Sequence, residues 1–181
     1  MGRFFEELRW GDWRAAFHRR RNMRSDLPDR KTPAHFPVVE SVNHSVIIFV
    51  TVCTKDRKPI LAHRAGHELL CQAWMAADAW SVGRYMIMPD HLHLFCSPGI
   101  VAYPALRKWV QYWKALVSRA WPNPGEQPIW QESCWDTQLR KGESYGEKWE
   151  YVRRNPVRQG LCAASDDWPY QGELNVLPWH D

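Results

Sequence analysis

Apolar and polar residues follow patterns along the chain that predict several strands. Residues 45–52 form a continuous, mostly β-branched run, which is typical of a buried strand. Residues 85–88 and 91–96 are two more strand-like runs, which meet at Pro89 and Asp90. Proline lacks the N–H donor of a strand ladder, so these two residues predict a sharp bend or a strand junction. A short run over residues 135–139 is a candidate for the last strand.

Three further segments have apolar residues at helical spacing. They cover residues 62–80, residues 105–121 and residues 143–155. The third helix is expected to end before Pro156, because a residue that precedes proline is disfavoured in the helical conformation. The resulting order of elements, β-α-β-β-α-(β)-α, predicts an α+β fold in which helices pack against an antiparallel β-sheet.

The first 36 residues have a different pattern from the rest. A short amphipathic stretch leads into a dense basic cluster and then into a proline-containing loop. We therefore predict a basic N-terminal arm over residues 1–36 and a single domain over residues 37–181. Clusters of this kind neutralise nucleic-acid phosphates, although a solvated surface explains them equally well. The basic cluster includes Arg19, Arg20, Arg21 and Arg24.

Composition narrows the class of protein. The chain has 181 residues, of which 45% are hydrophobic, enough for one domain with its own core. No apolar run reaches the length of a membrane span and no stretch resembles a signal peptide, so we expect a cytoplasmic protein without a membrane partner. The five scattered cysteines favour buried thiols over disulfides or a zinc site. A net charge of +4 is mild, but twelve tryptophans together with basic clusters would suit stacking on unpaired bases.

A histidine pair is the first candidate for chemistry. His91 and His93 are separated by one residue on a predicted strand, so both imidazoles project from the same face while Leu92 turns to the other. Two neighbouring imidazole nitrogens suit a divalent metal. Taken alone, two surface or hydrogen-bonded histidines explain the pattern better. Asp90 would orient one imidazole or simply cap the bend.

A tyrosine and an asparagine on the third predicted helix are the second candidate. Tyr151 and Asn155 are four residues apart, so they lie on one helix face, one turn from each other. That spacing would place a nucleophilic oxygen beside a third metal ligand. A core tyrosine and a helix stop before proline are the simpler explanation of these two residues alone.

The surrounding sequence favours the functional explanation of both candidates over the structural one. Residues 85–94 (YMIMPDHLHL) resemble the signature strand of the HUH single-tyrosine transposases, and residues 151–161 (YVRRNPVRQGL) resemble a motif of their REP-associated branch. Residues 48–51, which lead to residues 56–59 (DRKP), are also similar to that family, as are Trp130-Gln131, Trp135-Asp136 and Leu139-Arg140. The resemblance covers roughly residues 44 to 170 in the family's order. Two independent motifs in the correct order are far more specific than either alone.

The resemblance implies a ferredoxin-like HUH nuclease architecture and a set of roles. His91 and His93 would bind Mg²⁺ or Mn²⁺, with Asn155 as a third ligand. Tyr151 would attack the scissile phosphate of single-stranded DNA at or near a hairpin, a REP-like palindrome, leaving a 5′-phosphotyrosine and a 3′-hydroxyl. Such an enzyme would be associated with the nucleoid. Our candidates for DNA contacts are Arg19, Arg20, Arg21, Arg24, Arg107, Lys108, Lys114, Arg153, Arg154 and Arg158.

Several alternatives stay open at this point. Relatives act as monomers or as homodimers that exchange catalytic helices, so Tyr151 could meet the histidines of its own chain or of a second copy. Many REP-associated members carry a histidine where this chain has Thr137, which admits a domesticated hairpin-binding protein with weak or lost catalysis. Replication initiators and relaxases share the histidine pair but fit the Asn-Pro-Val-Arg segment poorly. A zinc hydrolase lacks recognisable third and fourth ligands.

Overall fold

The computed structural model describes residues 46–139 and 144–178. The predicted arm over residues 1–36 and its boundary with the domain lie outside the described residues. The first residue of the predicted strand and the start of the predicted third helix lie outside them as well. The same is true of four candidate DNA contacts, which are Arg19, Arg20, Arg21 and Arg24.

A five-stranded antiparallel sheet forms the centre of the fold. The helix α1 (Arg64–Ala76) connects the first two strands, and α2 (Leu106–Ala120) connects the third and fourth. The strand order β4-β1-β3-β2-β5 with these two helices is a ferredoxin-like arrangement extended by one edge strand, so the α+β prediction is confirmed. The strands are β1 (Ile48–Cys53), β2 (Trp80–Ile87), β3 (His91–Pro98), β4 (Trp135–Gln138) and β5 (Gln171–Glu173).

One face of the sheet carries the larger core. Successive side chains of a strand point to opposite faces. Leu92 and Leu94 of β3 point to the face covered by α1 and α2, and both are fully buried. There they belong to the same apolar cluster as Trp74, Trp109 and Trp113 of the two helices. This packing explains much of the high tryptophan content as core rather than as a base-stacking surface.

The opposite face carries a smaller core under a third helix, α3 (Tyr145–Arg153). Tyr145 and Val152 of α3 are buried and share a cluster with Phe95 of β3 and Met86 of β2. The Phe95 and Tyr145 rings meet edge to face with 4.9 Å between centroids, a favourable aromatic geometry. The predicted histidine pair lies on the same strand face as Phe95.

The third predicted helix is divided into two. The helix α3 ends at Arg153, and a short helix α4 (Asn155–Arg158) begins directly after Arg154. Pro156 lies in the first turn of α4, where its missing N–H costs no helical hydrogen bond. The helix α3 therefore ends two residues before Asn155, the predicted end, and the proline lies at the start of the next helix.

Three other elements differ from the prediction. The helix α1 stops at Ala76 instead of continuing to residue 80, because the chain leaves the helical conformation at Ala77, whose carbonyl accepts a hydrogen bond from the Trp109 indole at 2.6 Å. The strand β2 consequently begins earlier, at Trp80. The edge strand β5 has no apolar pattern and was not predicted. The structure also contains short 3-10 turns at Lys55–Arg57, Pro124–Glu126 and Ser165–Asp167.

None of the helices within residues 46–139 and 144–178 is long and apolar enough to cross a bilayer.

Replacement of Trp113 by alanine should lower the free energy of unfolding by about 3–5 kcal/mol, because the fully buried indole leaves a cavity between α2, α1 and the sheet. Chemical denaturation followed by fluorescence measures the change. The neighbouring Tyr112 is 52% exposed, and its replacement by alanine should change stability by no more than about 0.5 kcal/mol. Equal losses in the two variants would contradict this assignment of the core.

Candidate active site

The histidine pair lies at the start of β3, directly after a tight turn. The turn at Pro89 and Asp90 joins β2 to β3, and the Met88 N–H donates to the carbonyl of His91 at 2.8 Å. The rings of His91 and His93 are neighbours on one face, with 4.9 Å between centroids and 83° between their planes. The sequence-based expectation of two imidazoles side by side agrees with this geometry.

Each imidazole is held by a partner at Nδ1. The Nδ1 atom of His91 donates to a carboxylate oxygen of Asp90 at 2.6 Å, and the Nδ1 atom of His93 lies 2.8 Å from the Thr51 hydroxyl. The Phe49 ring stacks on His93, with 5.3 Å between centroids and 19° between planes. Since Nδ1 is engaged in both rings, Nε2 is the atom left for a ligand. Partners of this kind fix the tautomer and orientation of metal-binding histidines.

The electrostatic surroundings keep His93 neutral. Burial is the main cause that lowers the pKa of His93 well below its ordinary value, and the neighbouring His91 and the Arg57 cation lower it further. The Asp90 carboxylate acts in the opposite direction but does not outweigh them. A neutral imidazole offers a lone pair, which is the form that binds a metal.

Tyr151 and Asn155 face the histidines across one cleft. Tyr151 lies near the end of α3, where 64% of its surface is exposed, and Asn155 is the first residue of α4. The break between the helices leaves both on the same side. All of the predicted chemical residues are thus brought together within a single chain. The cleft has a volume of about 270 Å³ and is lined by Phe49, Arg57, His91, His93, Lys148, Tyr151, Val152, Asn155 and Gln159.

The Arg158 side chain contacts both Tyr151 and Asn155. Its guanidinium lies over the Tyr151 ring, 4.1 Å from the centroid, and its Nη2 donates to the Tyr151 carbonyl at 2.8 Å. The same Nη2 donates to Oδ1 of Asn155. An amide oxygen has two lone pairs, so this contact leaves one for another partner.

Two basic residues in the cleft were not among the sequence-based candidates. Arg57 comes from the turn after β1, and its Nη1 lies 3.5 Å from an Asp90 carboxylate oxygen. Lys148 comes from α3, and its ammonium lies 5.7 Å from the centroid of the Phe49 ring. The only signal for Arg57 was that residues 56–59 belong to a segment similar to the transposase family.

The other candidate DNA contacts are spread over the molecule. Arg107 and Lys108 are exposed on α2, which packs on the face of the sheet opposite the histidines. Arg154 is exposed between α3 and α4. Arg153 is engaged in ion pairs with Glu150 and with Asp166, at 3.1 Å and 2.5 Å. The Arg158 side chain contacts two residues of the cleft, Tyr151 and Asn155.

The position of Lys114 differs from that expected of a candidate DNA contact. It is 7% exposed, and its ammonium donates to the backbone carbonyls of Gln131 and Glu132 at 2.5 Å and 3.1 Å. Its own carbonyl accepts from the Trp130 indole. The helical pattern placed Lys114 off the apolar face, but the chain after α2 folds back over it. We therefore assign Lys114 to the interior rather than to a DNA-binding surface.

The donor set of the cleft fits a divalent cation with few protein ligands. Within the described part of the chain, no three His, Cys, Asp or Glu side chains are grouped so that they could hold a metal ion. Two oriented imidazoles and one amide oxygen remain, and these suit a site that leaves several positions for phosphate or water oxygens.

Comparisons with known proteins agree with the motifs. A Haemophilus influenzae protein assigned to the REP-associated tyrosine transposases is 29% identical over 142 residues, which cover 68% of this chain and 77% of the relative. The REP-associated tyrosine transposase of Escherichia coli K12 is 22% identical over 91 residues, which cover 50% of this chain and 53% of the relative. No protein-family model matches the chain.

A solved structure supports the fold independently. The structure of a REP-associated tyrosine transposase bound to a REP hairpin superimposes with a TM-score of 0.63 at 19% identity, covering 77% of this chain and 81% of that chain. At this identity the likeness concerns the fold alone. Together with the two relatives, it confirms the resemblance to the REP-associated tyrosine transposases.

The interior position of Lys114 should give stability a distinct pH dependence. Burial lowers the pKa of folded Lys114 below its ordinary value of 10.5. The unfolded state therefore holds this proton at pH values where the folded state has released it, and stability rises with pH in that interval. The wild type should gain stability relative to Lys114→Met as the pH rises from 8 toward about 10.5 in urea denaturation. A difference that is constant with pH would contradict the burial of this charge.

Proposed function

We propose, on the basis of the kinship with REP-associated tyrosine transposases, that this chain cleaves and rejoins single-stranded DNA at or near hairpins through a 5′-phosphotyrosine. Tyr151 is the nucleophile in this proposal. The observation that carries it is that the exposed Tyr151 lines the same cleft as His91 and His93. An interior position of this tyrosine would have removed the basis for the proposal.

The proposed reaction is a balanced transesterification. The Tyr151 phenol loses its proton to solvent, and its Oη forms a bond to the scissile phosphorus. The P–O3′ bond breaks, and the O3′ atom takes up a proton to become a free hydroxyl. Rejoining is the reverse reaction with a 3′-hydroxyl as the attacking group. The number of phosphate ester bonds is unchanged, so no nucleotide cofactor is required.

The other residues of the cleft have separate roles in the proposed reaction. His91 and His93, with Asn155, would hold Mg²⁺ or Mn²⁺. Such an ion, when bound, polarises the phosphate and stabilises the charge that develops on its oxygens. Arg158 holds the Tyr151 ring and carbonyl, which fixes the nucleophile, and its positive charge would stabilise negative charge on the phenol oxygen.

DNA with hairpins is the proposed partner. One relative of the same fold was solved with a REP hairpin bound, and the curated relatives are REP-associated transposases. In-line attack on a phosphate is easier on a flexible single strand than within a stacked duplex. The exposed cations Arg154 and Arg158 beside the cleft are suited to a strand that passes Tyr151. An enzyme with this substrate would act in association with the nucleoid.

The nucleophile is proposed to act on the metal site of its own chain. Tyr151, His91 and His93 line one cleft without a second copy. The reaction therefore needs no exchange of helices, and a monomer suffices.

A hairpin-binding protein with weak catalysis is the second candidate. Thr137 lies on the edge strand β4 opposite Phe49, on the sheet face that carries His93. A histidine at this position, as in many relatives, would lie on the catalytic face. Its absence favours weaker chemistry but leaves the residues of the cleft unchanged. Tight binding without a covalent adduct in the presence of Mn²⁺ would support this second candidate.

The replacement Tyr151→Phe should abolish the covalent adduct while leaving DNA affinity unchanged, because only the attacking oxygen is lost. The probe is a 3′-labelled library of hairpin-tailed oligonucleotides with randomised single-stranded flanks, incubated with Mn²⁺ and separated on denaturing gels. Tyr112→Phe is the matched control, because Tyr112 is an exposed tyrosine of α2 on the other face of the sheet. Adduct formation by the Tyr151→Phe variant would show that another group is the nucleophile.

The replacement Thr51→Val should weaken Mn²⁺ binding about tenfold, because it removes the hydroxyl that orients His93 and keeps the β-branched shape that suits a strand. Titration by electron paramagnetic resonance measures free Mn²⁺ without any need for DNA. The control is Thr137→Val, which alters an exposed threonine of the neighbouring strand. Unchanged Mn²⁺ affinity in the Thr51 variant would remove the support for this histidine as a ligand.

A further inference from the structure

We propose that Arg57 binds the non-bridging oxygens of the scissile phosphate, a role that rests on the proposed function of the same cleft. The residue lines the cleft together with Tyr151 and the histidine pair. An anion held between Tyr151 and the two histidines would therefore lie in the same cleft as this guanidinium.

The guanidinium has a donor that the protein does not use. The Nη1 atom of Arg57 is buried and has no hydrogen-bond partner. Its nearest carboxylate oxygen, on Asp90, is 3.5 Å away, so this ion pair falls short of good hydrogen-bond geometry. A buried charged donor without an acceptor is costly, and such a cost is retained where a ligand supplies the acceptor. The side chain as a whole is 37% exposed and lines the cleft.

The backbone beneath Arg57 is held in an uncommon conformation. Asp56 and Arg57 have φ values of 55° and 54°, in the left-handed region that non-glycine residues rarely adopt. The buried Thr54 stabilises this turn, since its hydroxyl lies 2.8 Å from the Lys58 carbonyl and 2.9 Å from the Asp90 carbonyl. Strain of this kind is concentrated at functional sites, where it fixes the direction of a side chain.

A phosphate is the ligand that the chemistry of this position favours. The fork of guanidinium N–H groups matches the spacing of phosphate oxygens, and such hydrogen bonds are strong because both partners are charged. Two other cationic side chains border the same space, Lys148 on α3 and Arg158 over Tyr151. Among the described residues that line the cleft none is acidic, so the cleft suits an anionic reacting group.

The competing explanation is that Arg57 acts only through Asp90 and His91. In that case Arg57 would be a positioning residue for the metal site, and its loss would weaken Mn²⁺ binding. A direct phosphate contact predicts instead that the loss of Arg57 leaves Mn²⁺ affinity unchanged. DNA affinity should then depend less on the charge of the scissile phosphate.

The first test compares adduct formation by the wild type, Arg57→Gln and Lys55→Gln on hairpin-tailed DNA with Mn²⁺. The Arg57 variant should react about 100-fold more slowly, because it loses a donor to the transition state. Lys55 is an exposed neighbour of the same charge that does not line the cleft, so Lys55→Gln should react at the wild-type rate. Mn²⁺ affinity of Arg57→Gln, measured by electron paramagnetic resonance, should equal that of the wild type.

The second test isolates the contact in the non-cleaving Tyr151→Phe background. A neutral methylphosphonate is placed at the cleavage position that the wild-type adduct defines, and DNA affinity is compared with that for the ordinary phosphate. Neutralisation should weaken binding about tenfold more when Arg57 is present than in Arg57→Gln, because any contact of the phosphate with the proposed metal is common to both backgrounds. The inference is overturned if neutralisation weakens DNA binding equally in the two backgrounds. It is also overturned if Arg57→Gln forms the adduct at the wild-type rate, or if weaker Mn²⁺ binding explains its slower reaction. If the wild type forms no adduct at all, the proposed function itself fails, and this inference fails with it.

Discussion

The alternation of side chains along β3 is the constraint on which the rest of the site depends. Leu92 and Leu94 are fully buried in the core with α1 and α2. A slip of one residue in the pairing of β3 would expose both leucines and turn His91 and His93 into that core. The register β1–β3 is therefore fixed by apolar burial, and the same register places Thr51 beside His93.

The second core places Tyr151, the proposed nucleophile, in a corresponding way. Val152 is 1% exposed and packs with Phe95 and Tyr145 against the sheet. Its neighbour Tyr151 consequently points along the edge of this packing, toward the cleft. The polar groups of the site are thus placed by apolar contacts on both faces of one sheet. A catalytic constellation can change in such a scaffold while the scaffold persists.

The sequence predicted those features that depend on local pattern. The alternation in β3 and the helical face of α2 were predictable because neighbouring residues determine them. Tyr151 and Asn155 were expected on one helix, but the break at Arg154 puts them on α3 and α4, although both still line the cleft. The strand β5 was not, since its short polar segment is a strand only through pairing with β2. Lys114 was placed wrongly because a distant loop covers it. The position of Arg57 depends on a left-handed backbone that no spacing rule indicates.

The contacts of Arg158 have a consequence for how the site tolerates change. This one side chain spans the break between α3 and α4, from the Tyr151 carbonyl to the Asn155 amide. The placement of Tyr151, the proposed attacking residue, relative to the Asn155 amide is therefore supported by a guanidinium across the break between the helices. Loss of the Arg158 side chain would remove both contacts together, so a single substitution there would affect the proposed nucleophile and the proposed ligand at once.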